Sequence, residues 1–89
     1  MSSRTVIIAS AVGLHARPAA MFVQAVNATG LPITVAREDS NPVDARSILS
    51  VMALGAKFGD TVTLTADGEG ADEALDSLVA LLGRDLDEE

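Results

Sequence analysis

The chain has 89 residues, no cysteine, two phenylalanines as its only aromatics and a formal net charge of −7 at pH 7. A chain this short buries roughly 60–65% of its unfolded surface. It is expected to form one domain over residues 1–89, with its chemistry at the surface and a second protein completing the site. The absence of cysteine excludes disulfides, thiol catalysis and thiolate metal ligands.

The acidity is local. Residues 67–89 hold nine of the thirteen acids and one base, Arg84, whereas residues 1–66 hold four acids and five bases. No basic stripe is present to meet a phosphate backbone, and Phe22 and Phe58 offer few platforms for base stacking, so nucleic acid is not an expected partner. Met1-Ser2-Ser3-Arg4 lacks the apolar core of a signal peptide, and no apolar run approaches the ~20 residues that span a bilayer. The expectation is a cytoplasmic monomer with no membrane insertion.

Residues 4–9 (RTVIIA) are rich in β-branched side chains and predict a strand. A connection containing Gly13 follows. From Ala16 the pattern turns helical: Ala19, Phe22, Val23 and Val26 fall on one helix face, Pro18 fits the first turn, and Gly30 ends the segment. Leu31, Ile33 and Val35 alternate with Pro32, Thr34 and Ala36 as a second strand. Residues 38–42 form a turn, and Val43 predicts a short third strand. Ser47 can cap a short helix in which Ile48, Val51 and Met52 share a face. Gly55 and Gly59 bracket a loop. Residues 61–66 (TVTLTA) predict a strand with Val62, Leu64 and Ala66 on one face and threonines on the other. After a turn at 67–70, Ala71, Leu75, Leu78 and Leu82 mark a last helix, followed by Gly83. The order β-α-β-β-α-β-α, with one hydroxyl-rich sheet face, predicts an α+β open-faced sandwich. In it, a four-stranded antiparallel sheet carries three helices on one face.

The single histidine stands in Gly13-Leu14-His15-Ala16-Arg17-Pro18, where a loop becomes a helix. The first N–H groups of a helix have no internal partner and carry the positive end of its dipole. An anion at Ala16 and Arg17 gains charge-assisted hydrogen bonds, and the forked guanidinium of Arg17 suits phosphate oxygens. The same field disfavours the imidazolium form, which keeps the ring neutral and nucleophilic. These residues point to anion chemistry and leave the reaction open.

The stretch Gly13-Leu14-His15-Ala16-Arg17-Pro18-Ala19 resembles the active-site motif of the HPr family, phosphocarriers of the phosphoenolpyruvate:sugar phosphotransferase system. Residues 45–55 resemble that family's regulatory-serine helix, and the length, element order and acidic last helix match as well. The resemblance implies that His15 accepts a phosphoryl group on Nδ1 from phospho-Enzyme I and passes it to sugar-specific IIA components. Arg17 would support the phosphoryl oxygens and Pro18 would fix the helix start. Ser47 would correspond to a site that a dedicated kinase modifies in some members. Arg46 and Ser50 stand where the family usually has lysine and glycine, so Ser47 is left with two readings, a regulatory site or a simple cap. No cofactor or metal is implied.

The partner surface is expected to be an apolar patch from Ile48, Leu49 and Met52 with a polar rim of Arg17, Gln24 and Arg46. Leu49 is the residue expected to be exposed, whereas core burial is the expectation for Ile48 and Met52. The acidic helix is expected to face away. Three alternatives stay open: a regulatory module acting through Ser47 with His15 idle, a nitrogen-linked branch of the same relay, and a small metal- or anion-binding domain.

Overall fold

The structure is a computed structural model that describes residues 2–9, 13, 14, 16–38 and 40–83. Its elements run β1 (Ser2–Ile7), α1 (Ala16–Thr29), β2 (Ile33–Arg37), β3 (Val43–Asp44), α2 (Ile48–Leu54), β4 (Thr61–Ala66) and α3 (Ala71–Leu82). The four strands form one antiparallel sheet in the order β1-β4-β2-β3. This is the open-faced α+β sandwich that the order of elements predicts.

Register explains which face is covered. Val62, Leu64 and Ala66 of β4 are buried, and so are Ile33 and Val35 of β2. Val6 of β1 pairs with Val62 and Val35 pairs with Leu64, so these residues share the helix-covered face. On the opposite face Ser3 meets Thr65 and Thr5 meets Thr63 across the β1–β4 pair. Those hydroxyls satisfy themselves in water, and this side needs no cover.

The helices present matching stripes. Ala19, Phe22, Val23 and Val26 of α1 are buried, as are Ala71, Leu75, Leu78 and Leu82 of α3. Each large side chain fully buried in this way contributes about 1.5–3 kcal/mol. Val51 is the buried residue of α2.

Three expectations need correction. The first strand runs from Ser2 to Ile7 rather than over residues 4–9, because its partner β4 ends the ladder at the Ile7–Thr61 pair. Beyond it, Ile8 is 1% exposed and Ala9 donates to the Leu82 carbonyl instead of a strand. The second strand starts at Ile33 rather than Leu31. The N–H of Leu31 is taken by the Thr29 hydroxyl at 3.1 Å, and Pro32 has no N–H to give. Ile48 is 38% exposed and not a core residue, since α2 is short and buries only Val51 fully.

Candidate functional site

His15 lies outside the described residues, as do residues 10–12, Asp39, Arg84 and the acidic tail 85–89. The segment that carries His15 is described on both sides. Gly13 has φ +73°, a left-handed conformation. A Cβ there would sit 2.6 Å from the Ala56 carbonyl oxygen and 2.8 Å from the Lys57 Cα. Both facts demand glycine: a side chain is strained by the backbone and blocked by it. Next to it, Leu14 donates its N–H to the Ala56 carbonyl at 2.9 Å and buries its side chain. The backbone of residues 13–14 is therefore clamped to residues 56–57.

On the other side, α1 begins at Ala16. Ala16 and Arg17 are exposed at its first turn, and Pro18 is buried. Pro18 is the third residue of the helix, where the absent N–H leaves no bond unmade. Arg17 and Gln24 are seven residues apart and both exposed, so they lie on one outward face of α1.

The α2 segment departs from expectation at Ile48 and agrees with it in the cap geometry at Ser47 and the exposure of Leu49. Ser47 is its N-cap, with φ −105° and ψ 116°, and its hydroxyl accepts the Ser50 N–H at 3.3 Å. Arg46 is exposed and folds onto Asp44: its N–H and Nε reach Asp44 Oδ1 at 2.9 and 3.1 Å, and a terminal nitrogen reaches Oδ2 at 3.3 Å. The Arg46 side chain, then its N–H, holds the Asp44 carboxyl below its ordinary value of 3.8. Leu49 is 77% exposed, as expected, and Met52 is half-buried against the core.

The loop of residues 55–60 is what the residue-by-residue reading missed. Its bracketing glycines are visible in the sequence, but not that Ala56 and Lys57 would clamp Gly13 and Leu14. Phe58, 65% exposed in a chain with two aromatics, was the available signal that this loop is more than a connection. The acidic α3 places Asp72, Glu73 and Asp76 on its exposed side. Among the described residues no helix is long and apolar enough to cross a membrane.

Comparisons with known proteins agree with this geometry. The family model described as "PTS HPr component phosphorylation site" matches residues 2–84. A phosphocarrier protein HPr of Streptomyces coelicolor is 48% identical over 88 residues, covering 99% of this chain and 95% of the relative. An HPr-like protein Crh of Bacillus subtilis is 40% identical over 74 residues, with 83% and 86% of the two chains covered. Among solved structures, HPr-C-His from Thermoanaerobacter tengcongensis superposes with a TM-score of 0.90 at 40% identity, covering 100% of this chain and 99% of that one. With the family model matched along nearly the whole chain and the fold shared with it, the protein belongs to the HPr family of phosphotransferase-system phosphocarriers.

Proposed function

We propose that His15 accepts a phosphoryl group from phospho-Enzyme I, charged by phosphoenolpyruvate, and passes it to sugar-specific IIA components. The observation that supports this reading is the match of the phosphorylation-site family model over residues 2–84, together with a clamped Gly13–Leu14 backbone and a helix that starts at Ala16, the residues that flank His15 in the sequence. In the transfer, the Nδ1 lone pair of His15 attacks phosphorus and forms a new N–P bond. The donor's N–P bond breaks in line, and its electron pair returns to the donor's imidazole. The exposed Arg17 would meet the phosphoryl oxygens, assisted by the positive end of the α1 dipole at Ala16 and Arg17. Pro18, held in the core, would keep that turn from shifting.

A carrier with two partners needs one face for both. Leu49, with the exposed part of Ile48 and the half-buried Met52, would supply its apolar centre. Arg17, Gln24 and Arg46 would form the rim. Such an interface is small and transient, as turnover requires. The acting unit is the single domain of residues 1–89, working as a cytoplasmic monomer. The sugar branch is favoured over the nitrogen-linked one by the stretch around Ser47.

Incubation with phosphoenolpyruvate and Enzyme I is expected to place an acid-labile phosphoramidate on the chain and none on His15→Ala. Label on that variant would refute the reading. Onward transfer to sugar-type IIA proteins, compared with nitrogen-type ones, decides the branch. The similarity to proteins named Crh supports a second reading, in which Ser47 is a regulatory phosphorylation site. Its phosphate would be acid-stable and absent from Ser47→Ala.

A further inference from the structure

We propose that Asp44 is a positioning residue for partner recognition: it holds the Arg46 guanidinium by one edge, so that the other edge can grip a carboxylate of the protein partner. The inference rests on the proposed partner face and its rim residue Arg46. Asp44 ends β3, where it pairs with Thr34. Ala45 turns into the core, 0% exposed, and donates its N–H to the Ile33 carbonyl at 2.9 Å. The Asp44 carbonyl accepts the Ser47 N–H at 3.2 Å, and Ser47 caps α2. The main chain of residues 44–47 is thus tied to the sheet on one side and to α2 on the other. The Asp44 side chain closes this turn as well, because Oδ1 accepts the Arg46 N–H at 2.9 Å. The carboxylate therefore stands on a fixed base.

Arg46 is fastened to that base by two further bonds, Nε to Oδ1 at 3.1 Å and Nη2 to Oδ2 at 3.3 Å. A guanidinium is a rigid plane with two edges that suit a carboxylate, Nε with Nη2 and Nη1 with Nη2. Asp44 takes the first edge. The second points away from Asp44, on a side chain that is half-exposed, just before the exposed Ile48 and Leu49 in the chain. A partner carboxylate fits that edge with two parallel charge-assisted bonds. An exposed ion pair such as Asp44–Arg46 adds little to stability. What it does is hold a long side chain in one geometry before the partner arrives, so that less freedom is lost on binding. A lysine at this position would carry the charge without the plane.

Five forms of the full chain test this: wild type, Asp44→Asn, Arg46→Gln, Arg46→Lys and the double variant Asp44→Asn with Arg46→Gln. Readouts are transfer from phospho-Enzyme I with kcat and KM separated, and hydrogen exchange of the Arg46 Nε–H by NMR. Asp44→Asn keeps an oxygen for the Arg46 N–H, so the turn persists while the charged fork is broken. It should raise KM for the donor about threefold, leave kcat at wild type and speed exchange of the Nε–H. Arg46→Gln should raise KM at least as much, and Arg46→Lys should recover little of it. The double variant should match Arg46→Gln, because Asp44 acts through Arg46 alone. A wild-type KM in Asp44→Asn overturns the proposal. So does a lowered KM, since Asp44 would then be shielding Arg46 from the partner. Effects that multiply in the double variant, or a wild-type KM in Arg46→Lys, overturn it as well. Arg46→Gln with a wild-type KM refutes the rim reading itself, a separate outcome that removes the proposal with it.

Discussion

The two ends of the β1–β4 pair are held in opposite ways. At the end where β1 leaves the sheet, Ile8, Leu14 and the loop of residues 55–60 are joined by main-chain bonds of 2.9 Å, and Gly13 fits only as glycine. At the other end, Arg4 holds β1 to α3 by side chains alone: Nε to Asp76 at 3.0 Å and a terminal nitrogen to Asp72 at 3.3 Å. Main-chain bonds shielded by packing resist salt and pH, whereas exposed ion pairs are screened by both. If one face meets two partners, as proposed, it gains from the first kind of support; Phe58 is exposed on the loop that these main-chain bonds hold.

Gly13→Val attacks the main-chain end directly and should have the largest effect. The left-handed backbone costs roughly 1–2 kcal/mol, and forcing a side chain against the Ala56 carbonyl adds about 1–3 kcal/mol. Urea unfolding should show a loss of about 2–5 kcal/mol, with phosphoryl acceptance falling in the fraction that remains folded. A variant of wild-type stability would mean that the clamp yields at little cost. Ser47→Ala removes one cap bond and should cost about 1 kcal/mol by the same measurement. Leu49→Ser touches no core contact. Its unfolding midpoint should stay at wild type while KM for a protein partner rises about threefold.

The ends differ as much in how legible they were. Strand β4 and helix α3 could be bounded in the sequence because period and punctuation agree: alternating Thr and Val/Leu before the Asp67-Gly68 turn, then a stripe closing at Gly83. The edges that tertiary partners decide carry no such local signal. Nothing local to residues 4–9 says that β4 stops pairing at Thr61, and the hydroxyl that diverts Leu31 belongs to Thr29. Ile48 looks like core by spacing, but a seven-residue helix has too little width to bury two such positions. At the candidate site, the residues that bear charge or chemistry, Arg17, Pro18 and Ser47, announce themselves by type. Those that hold Gly13 and Leu14 in place, Ala56 and Lys57, act through main-chain groups common to every residue, and spacing carries no trace of them.

The smallest effects expected are at the side-chain end, and they separate the two exposed clusters. Asp72 lies below the ordinary value of 3.8, first because the Ser2 hydroxyl bonds it and only then because of Arg4. Asp44 lies below 3.8 chiefly through Arg46. A carboxylate depressed in the folded state stabilises fully above its unfolded value, and that contribution disappears as pH falls through the folded value. Both clusters should therefore support the fold at neutral pH and begin to lose that contribution as pH falls below about 4. Arg4→Gln should leave much of the Asp72 depression in place, since Ser2 still donates to it. Arg46→Gln should return Asp44 much nearer to 3.8, its side-chain partner gone and its bond from the residue 46 N–H retained. Carboxyl carbon NMR titration of the two variants measures this directly. Raising the salt to about 0.5 M should then shrink the effect of Arg4→Gln on the unfolding midpoint while leaving that of Gly13→Val unchanged. A midpoint loss in Arg4→Gln that survives salt would mean that the guanidinium supports β1 through packing of its stem against α3, not through charge.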